Sequence, residues 1–216
     1  MRFRILILGI LAFMPRSSWG STVDRIVVSV GNVGVTISEV DQEVRFAQFL
    51  DGQPQTLAPS EAQRNAARDR LVEQLLLAEE AEADKADPSG LNEEATRLVD
   101  EVRKLYPDEA AYGAALASTG YTQDQVFQRL IRNVRIVRLI NRRLRPNAWV
   151  DQRDVETYYK EAFLREYAQR EQTPPPKLED VEMVIRETLT QQKVDQLLDQ
   201  WLKDIQSTRQ VKVHSN

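Results

Sequence analysis

The sequence predicts a mainly α-helical α+β fold: a helical core with a small antiparallel sheet, formed by an N-terminal hairpin and a C-terminal strand. Three observations lead there. Residues 25–37 (RIVVSVGNVGVTI) are Val/Ile-rich around Gly31, Asn32 and Gly34, the composition of a short hairpin. From residue 38 to about residue 207, apolar residues recur at helical spacing behind capping signals. Val211, Lys212 and Val213 close the chain as a short β-prone run. Hairpin and closing run are each too short to be stable alone, so their pairing into a three-stranded patch is expected.

The elements follow in order. The hairpin turn falls at Gly31-Asn32 or nearer Gly34. Ser38, with Asp41 three residues on, opens a helix whose face is Val40, Val44 and Ala47. The loop DGQPQTLAP (51–59) separates it from a second helix, opened by the capping box of Ser60 and Gln63 and bearing Ala67, Leu71, Leu75 and Ala78. Asn92 is placed to cap a third helix carrying Ala95, Leu98, Val99, Val102 and Leu105. Pro107 ends it or restarts a short helix through Leu116. Thr122 and Gln125 form another capping box, for a helix to about Arg145. Pro146 breaks the chain. Asp151 and Asp154 then open a helix with Val155, Tyr158, Tyr159, Ala162 and Phe163 on one face. Three prolines, 174–176, cannot continue a helix and favour the polyproline II conformation. A long last helix runs from Leu178 to about Ser207, with Val181, Val184, Ile185, Leu189, Leu197, Leu198, Trp201, Leu202 and Ile205 as its apolar positions.

The first twenty residues read as an address. Arg2 and Arg4 precede the apolar run Ile5–Met14, and PRSSWG breaks it. Ten helical residues cover about 15 Å, half the ~30 Å hydrocarbon core. This suits an export signal cleaved after Gly20, not a membrane span. No later apolar stretch is long enough to span. The mature chain, 21–216, is expected to be one domain: helical over 38–164, a Pro-rich linker over 165–177, then the long helix and strand over 178–214.

Composition removes several functions. The 216 residues include no Cys and one His, His214, in a polar tail. Disulfides, thiolate metal sites, a cysteine nucleophile and a His-based triad are therefore set aside. The net charge of −4 falls to −7 without residues 1–20, with 26 basic against 33 acidic residues, so no general attraction to nucleic acid is expected. Paired carboxylates such as Glu79 and Glu80 have no Ser elbow, Gly loop or His beside them. The expectation is a non-enzyme, with no catalytic residue, cofactor or metal.

Two stripes remain. In RLIRNVRIVRLINRRLR (129–145), Leu130, Val134, Val137, Ile140 and Leu144 gather on one helical face, with Arg132, Arg135, Arg138, Arg142 and Arg145 opposite. The arginines suit either anionic lipid or nucleic acid, the latter argued against by export, or pairing with acids such as Glu73, Glu79, Glu80 and Glu82. Tyr159, Phe163 and Tyr167 step by four along one helix, as do Phe46 and Leu50 on the first. Aromatic stripes supply contact area at low entropic cost, and equally serve as ordinary core.

DRIVVSVGNVGVTISEVDQEVRFAQFL, after a signal-like segment, resembles the opening of the SurA-type periplasmic chaperones. VDQRDVETYYKEAF is similar to the family segment that precedes its parvulin isomerase domain. LTQQKVDQLLDQWLKDIQSTRQVKVH is similar to its closing helix and strand. Gly31-Asn32 stands where that family usually has Asn-Gly. Only residues 165–177 lie where the isomerase is usually inserted, far below the ~40 residues an unassisted domain needs. The resemblance therefore implies a chaperone core without isomerase activity. It implies an ATP-independent periplasmic protein binding unfolded or outer-membrane polypeptides through apolar and aromatic surfaces. The candidate contacts are Phe46, Phe49, Leu50, Tyr112, Tyr159, Phe163 and Tyr167. A dimer remains open. Two alternatives stand beside it: an envelope scaffold or adaptor using the arginine face, and a residual prolyl isomerase.

Overall fold

The computed structural model describes residues 24–170 and 173–214. The expected export signal and its cleavage point lie outside the described residues. The fold is mainly helical with one small antiparallel sheet in the order β2-β1-β3.

Strands β1 (Ile26–Val30) and β2 (Val33–Thr36) form the hairpin, with Val30 opposite Val33. The turn is Gly31-Asn32. Gly31 has φ +56° and, among the described residues, no non-glycine residue takes positive φ, so only the first central position is left-handed. That is the sign pattern of a type II′ turn, which places Gly first and explains Gly-Asn rather than Asn-Gly. Strand β3 (Val211–Val213) pairs antiparallel with β1, Val28 opposite Val213. His214 extends the ladder instead of trailing into solvent: its amide donates to Val27 O at 2.9 Å, and its ring Nε2 lies 3.1 Å from Ser29 Oγ.

Helix α1 (Ile37–Leu50) is capped by Thr36 with Glu39, one box earlier than Ser38 with Asp41. Asp41 is instead gripped by Arg64 of α2 (Glu61–Ala83), through bonds of 2.6 and 3.0 Å. The boxes at Ser60/Gln63 and, for α5 (Gln123–Leu144), at Thr122/Gln125 form as expected. Gly90 rather than Asn92 opens α3 (Leu91–Lys104), and Asp108 caps α4 (Glu109–Thr119). Pro146 sits in a single 3-10 turn, Arg145–Asn147. Helix α6 (Gln152–Tyr158), capped by Asp151, passes through a π-helical turn, Tyr159–Phe163, into α7 (Leu164–Arg170). The expected linker over 165–177 is thus partly helical. Helix α8 (Leu178–Thr208) is 31 residues long, about 46 Å.

Helix α1 lies between two cores. Val40 and Val44 join Val28, Val30 and Val35 of the sheet, Ala67, Val72 and Leu76 of α2, and Ile205 of α8. Phe46 and Phe49 face the other way, onto Ala95, Val99, Tyr112, Val126, Leu130 and Ile131. Three of the candidate client contacts are therefore inside: Phe46, Phe49 and Tyr112 are 1%, 0% and 2% exposed. The helical period is correct, but a helix with neighbours on both sides buries both faces. Tyr112 satisfies its hydroxyl on Gln123 Oε1 at 2.7 Å, as a buried phenol must. Leu50 is half-buried at the edge of this core. Conversely, Val184 of α8, expected inward, is 64% exposed, and Val194 takes an unexpected core place at 1%.

Between the two cores sits an ion pair. Glu43 on α1 is 2% exposed and accepts from Arg129 of α5 at 2.5 Å. Arg129 also donates to Gln74 of α2 at 3.3 Å and to the Tyr121 hydroxyl at 2.8 Å. Its guanidinium lies 4.5 Å from the Phe46 ring centre and 5.1 Å from that of Tyr121. Arg70 of α2 stands 3.8 Å from the other Glu43 oxygen. Burial pushes the Glu43 carboxyl above its ordinary 4.5, with Arg129 and Arg70 opposing only in part.

Phe49→Ala should cost about 3–5 kcal/mol, read from the urea midpoint, because the ring is wholly enclosed. Glu43→Ala should cost about 3 kcal/mol by leaving Arg129 without its anion. A carboxyl raised in the folded state binds its proton more tightly folded than unfolded. Its contribution is complete below pH 4.5 and is lost as pH rises through the folded value. Glu43→Gln abolishes this titration. Wild type should therefore lose stability relative to Glu43→Gln as pH rises above 4.5. A wild type that gains stability relative to Glu43→Gln over that rise would refute the assignment.

Candidate functional site: an aromatic ladder on the first half of α8

Helix α8 is the common support. Its C-terminal half packs through Leu202 and Ile205 on α2 and the sheet, and Val194 packs on Leu144 and Ala148 at the end of α5. Its N-terminal half carries a separate small core of Val150, Val155 and Ile185, flanked by Tyr158, Tyr159, Phe163, Leu178, Val181 and Leu189. This core holds α6, the π turn and α7 against α8.

Polar contacts set the register of that module. Arg186 donates to Val150 O at 3.0 Å, to Gln152 at 2.6 Å and to Glu182 at 2.9 Å. Lys193 donates to Trp149 O at 2.7 Å and to Asp154 Oδ2 at 3.0 Å. The Lys193 hydrogen bond holds the exposed Asp154 carboxyl below its ordinary value. Arg145 pairs with Glu187 at the same end. The segment entering α6 is thus tied to α8 at three points before the helix begins.

On this module the aromatic residues stack. The Tyr159 and Phe163 ring centres are 5.6 Å apart and 17° from parallel, and Phe163 and Tyr167 follow at 5.8 Å and 31°. All three are half-buried. The π turn is what the sequence could not announce. Its i→i+5 bonding widens the helix where the ladder begins, a feature often found at functional positions. The tyrosine hydroxyls are engaged at the rim: Tyr159 donates to Pro176 O at 2.8 Å, and the Tyr167 hydroxyl lies 2.9 Å from Thr173 Oγ1. Beside the ladder, between α6 and α8, a cleft of about 420 Å³ opens to solvent, floored by Tyr158, Ala162 and Leu189 and rimmed by Glu161, Gln192 and the Asp154–Lys193 pair. A second, smaller groove of about 220 Å³ between α2 and α5 is lined by Leu71, Leu75, Ala78 and Ile136. The expected core stripe of the second helix is therefore partly a groove wall, while Val72, Leu76 and Leu77 fill the interior.

Of the seven candidate contacts, only Tyr159, Phe163 and Tyr167 come together with accessible surface. Of the arginine stripe, Arg138 pairs with Glu94, Arg142 with Asp84 and Arg145 with Glu187, and Arg143 beside it pairs with Glu80. Only Glu80 was among the acids singled out from sequence. Glu79 goes to Arg209. The Glu43–Arg129 pair was missed, although an acid between Val40 and Phe46 on a buried stripe was its signal. Among the described residues, no helix is long and apolar enough to cross a membrane. No protein-family model and no curated protein matches this chain.

Ile185→Ala should cost about 2–5 kcal/mol and should act locally. Amide protection over α6 and α7 should fall first in hydrogen exchange, with α1 and α5 little changed; uniform loss would show that the module is not separately held.

Proposed function

We propose that this chain is an ATP-independent periplasmic chaperone core, without isomerase activity, that holds unfolded or outer-membrane polypeptides on the α6–α7 surface. One observation carries the reading: the stacked Tyr159, Phe163 and Tyr167 stay half-exposed beside an open cleft, although the chain has apolar cores in which to bury them. Aromatic faces attract apolar and extended segments with little dependence on sequence and cost little side-chain entropy. The charged rim of Glu161, Asp154 and Lys193 keeps such a surface wetted when empty. The segment resemblances at both ends of the chain and the export-like first twenty residues support the same reading.

Shielding is the whole of the mechanism. Each contact is weak, so several must form together to hold a client, and their independent loss releases it without an energy source. Tyr159, Phe163 and Tyr167 are the client contacts. Phe46, Phe49 and Tyr112 act at one remove, as the core that fixes α1.

Light scattering of a chemically denatured, aggregating client tests this. Equimolar protein should suppress aggregation, and Phe163→Ser/Tyr167→Ser should lose most of that effect with an unchanged far-ultraviolet circular dichroism spectrum. No suppression by the wild type would overturn the reading.

A further inference from the structure

The chain already lays one segment along the hydroxyl edge of the ladder. Thr173 meets the Tyr167 hydroxyl and Pro176 O accepts from the Tyr159 hydroxyl, so residues 173–176 run antiparallel to the helix from one end of the ladder to the other. The lengths agree. The ring centres, spaced 5.6 and 5.8 Å, make a ladder about 11 Å long. Three residues of polyproline II rise about 9 Å and return to the same side of the chain. Positions i and i+3 of such a strand therefore fall on the two tyrosine hydroxyls, one of which donates to a backbone carbonyl present in every peptide. Polyproline II leaves its carbonyls unbonded, and aromatic-lined surfaces with hydroxyl donors suit it for that reason.

The hold on this strap is slight. Pro174 and Pro175 remain exposed, Pro176 is half-buried, and the rings are still half-accessible with the strap in place. A ligand that also laid its rings on those faces would gain contact that the strap does not make.

We propose that the Tyr159–Phe163–Tyr167 ladder is a site for extended, proline-containing polypeptide, and that Thr173–Pro176 occupies it between clients as a displaceable intramolecular ligand. This rests on the ladder being the polypeptide-binding surface. It adds the class of segment recognised and a built-in competitor that lowers apparent affinity by the fraction of time it covers the site.

Fluorescence polarisation of labelled deca-proline, titrated with the full chain, tests it. Pro174→Gly/Pro175→Gly/Pro176→Gly keeps the strap's length and removes its preorganisation. This variant should bind about tenfold more tightly than the wild type. Tyr159→Phe in that background should weaken binding about threefold to tenfold through one lost hydrogen bond to a backbone carbonyl; Tyr167→Phe, whose hydroxyl meets a threonine side chain that deca-proline lacks, should change it little. A Gly-Ser peptide of equal length should not bind. Absence of deca-proline binding by the strap variant, equal binding with and without the strap, or indifference to Tyr159→Phe would each overturn the proposal. Aggregation suppression separates the two readings. Suppression without deca-proline binding defeats this inference alone, whereas deca-proline binding without suppression supports it and defeats the chaperone reading.

Discussion

The buried contact between Glu43 and Arg129 joins the parts of this fold that no continuous core joins. Helix α1 separates two apolar clusters, one on the sheet and one on α3, α4 and α5. Glu43 projects from α1 at the seam, and Arg129 reaches it from α5 while touching Gln74 on α2. A buried ion pair is poor evidence for net stability, since desolvation consumes much of the attraction. Its geometry is nevertheless specific. A guanidinium held between the Phe46 and Tyr121 rings and bonded to one carboxylate admits few alternative registers of α5 against α1. The two clusters are thereby assembled in one relative arrangement, and α8 can lie across α2 and the end of α5 and still reach the sheet.

That arrangement explains where surface remains for binding. Among the described residues up to the end of α5, Phe46, Phe49 and Tyr112 are buried and, with half-buried Tyr106, form a cluster of ring contacts. The α6–α7 module has a core of only three fully buried residues and one supporting helix. A small module cannot enclose three large rings, because its surface is large for its volume. Tyr159, Phe163 and Tyr167 therefore stack on one another and stay half-exposed. The same residue types on a helix become core in one place and surface in the other, and the difference is the number of neighbouring elements.

Much was legible from local chemistry. The hairpin, two capping boxes, the break at Pro146, the cap at Asp151 and the closing strand all depend on residues a few positions apart, whose preferences act before tertiary contacts form. Helix α1 is capped two residues before Ser38 because Thr36-x-x-Glu39 competes with Ser38-x-x-Asp41, and Arg64 draws Asp41 away. The arginine run divides into an apolar and a charged face, but Val137, expected inward, is 51% exposed, while Ile131, Ile136 and Leu139 take buried places. Its partners were not legible, since Glu94, Asp84 and Glu187 reach it only through the packing of α3 and α8 and the end of α2.

By itself, the sequence determined the class of fold, the order and type of its elements, and the spacing that aligns Tyr159, Phe163 and Tyr167. Periodicity and capping are properties of a single helix or turn, and they are written along the chain. Only the tertiary structure decided which aromatic face is enclosed, that α6 widens into a π turn, that Glu43 and Arg129 meet across 86 positions, and that the proline segment meets the hydroxyl edge of the ladder. Burial is set by what packs against an element from outside it, and that information is held jointly by residues far apart in the chain.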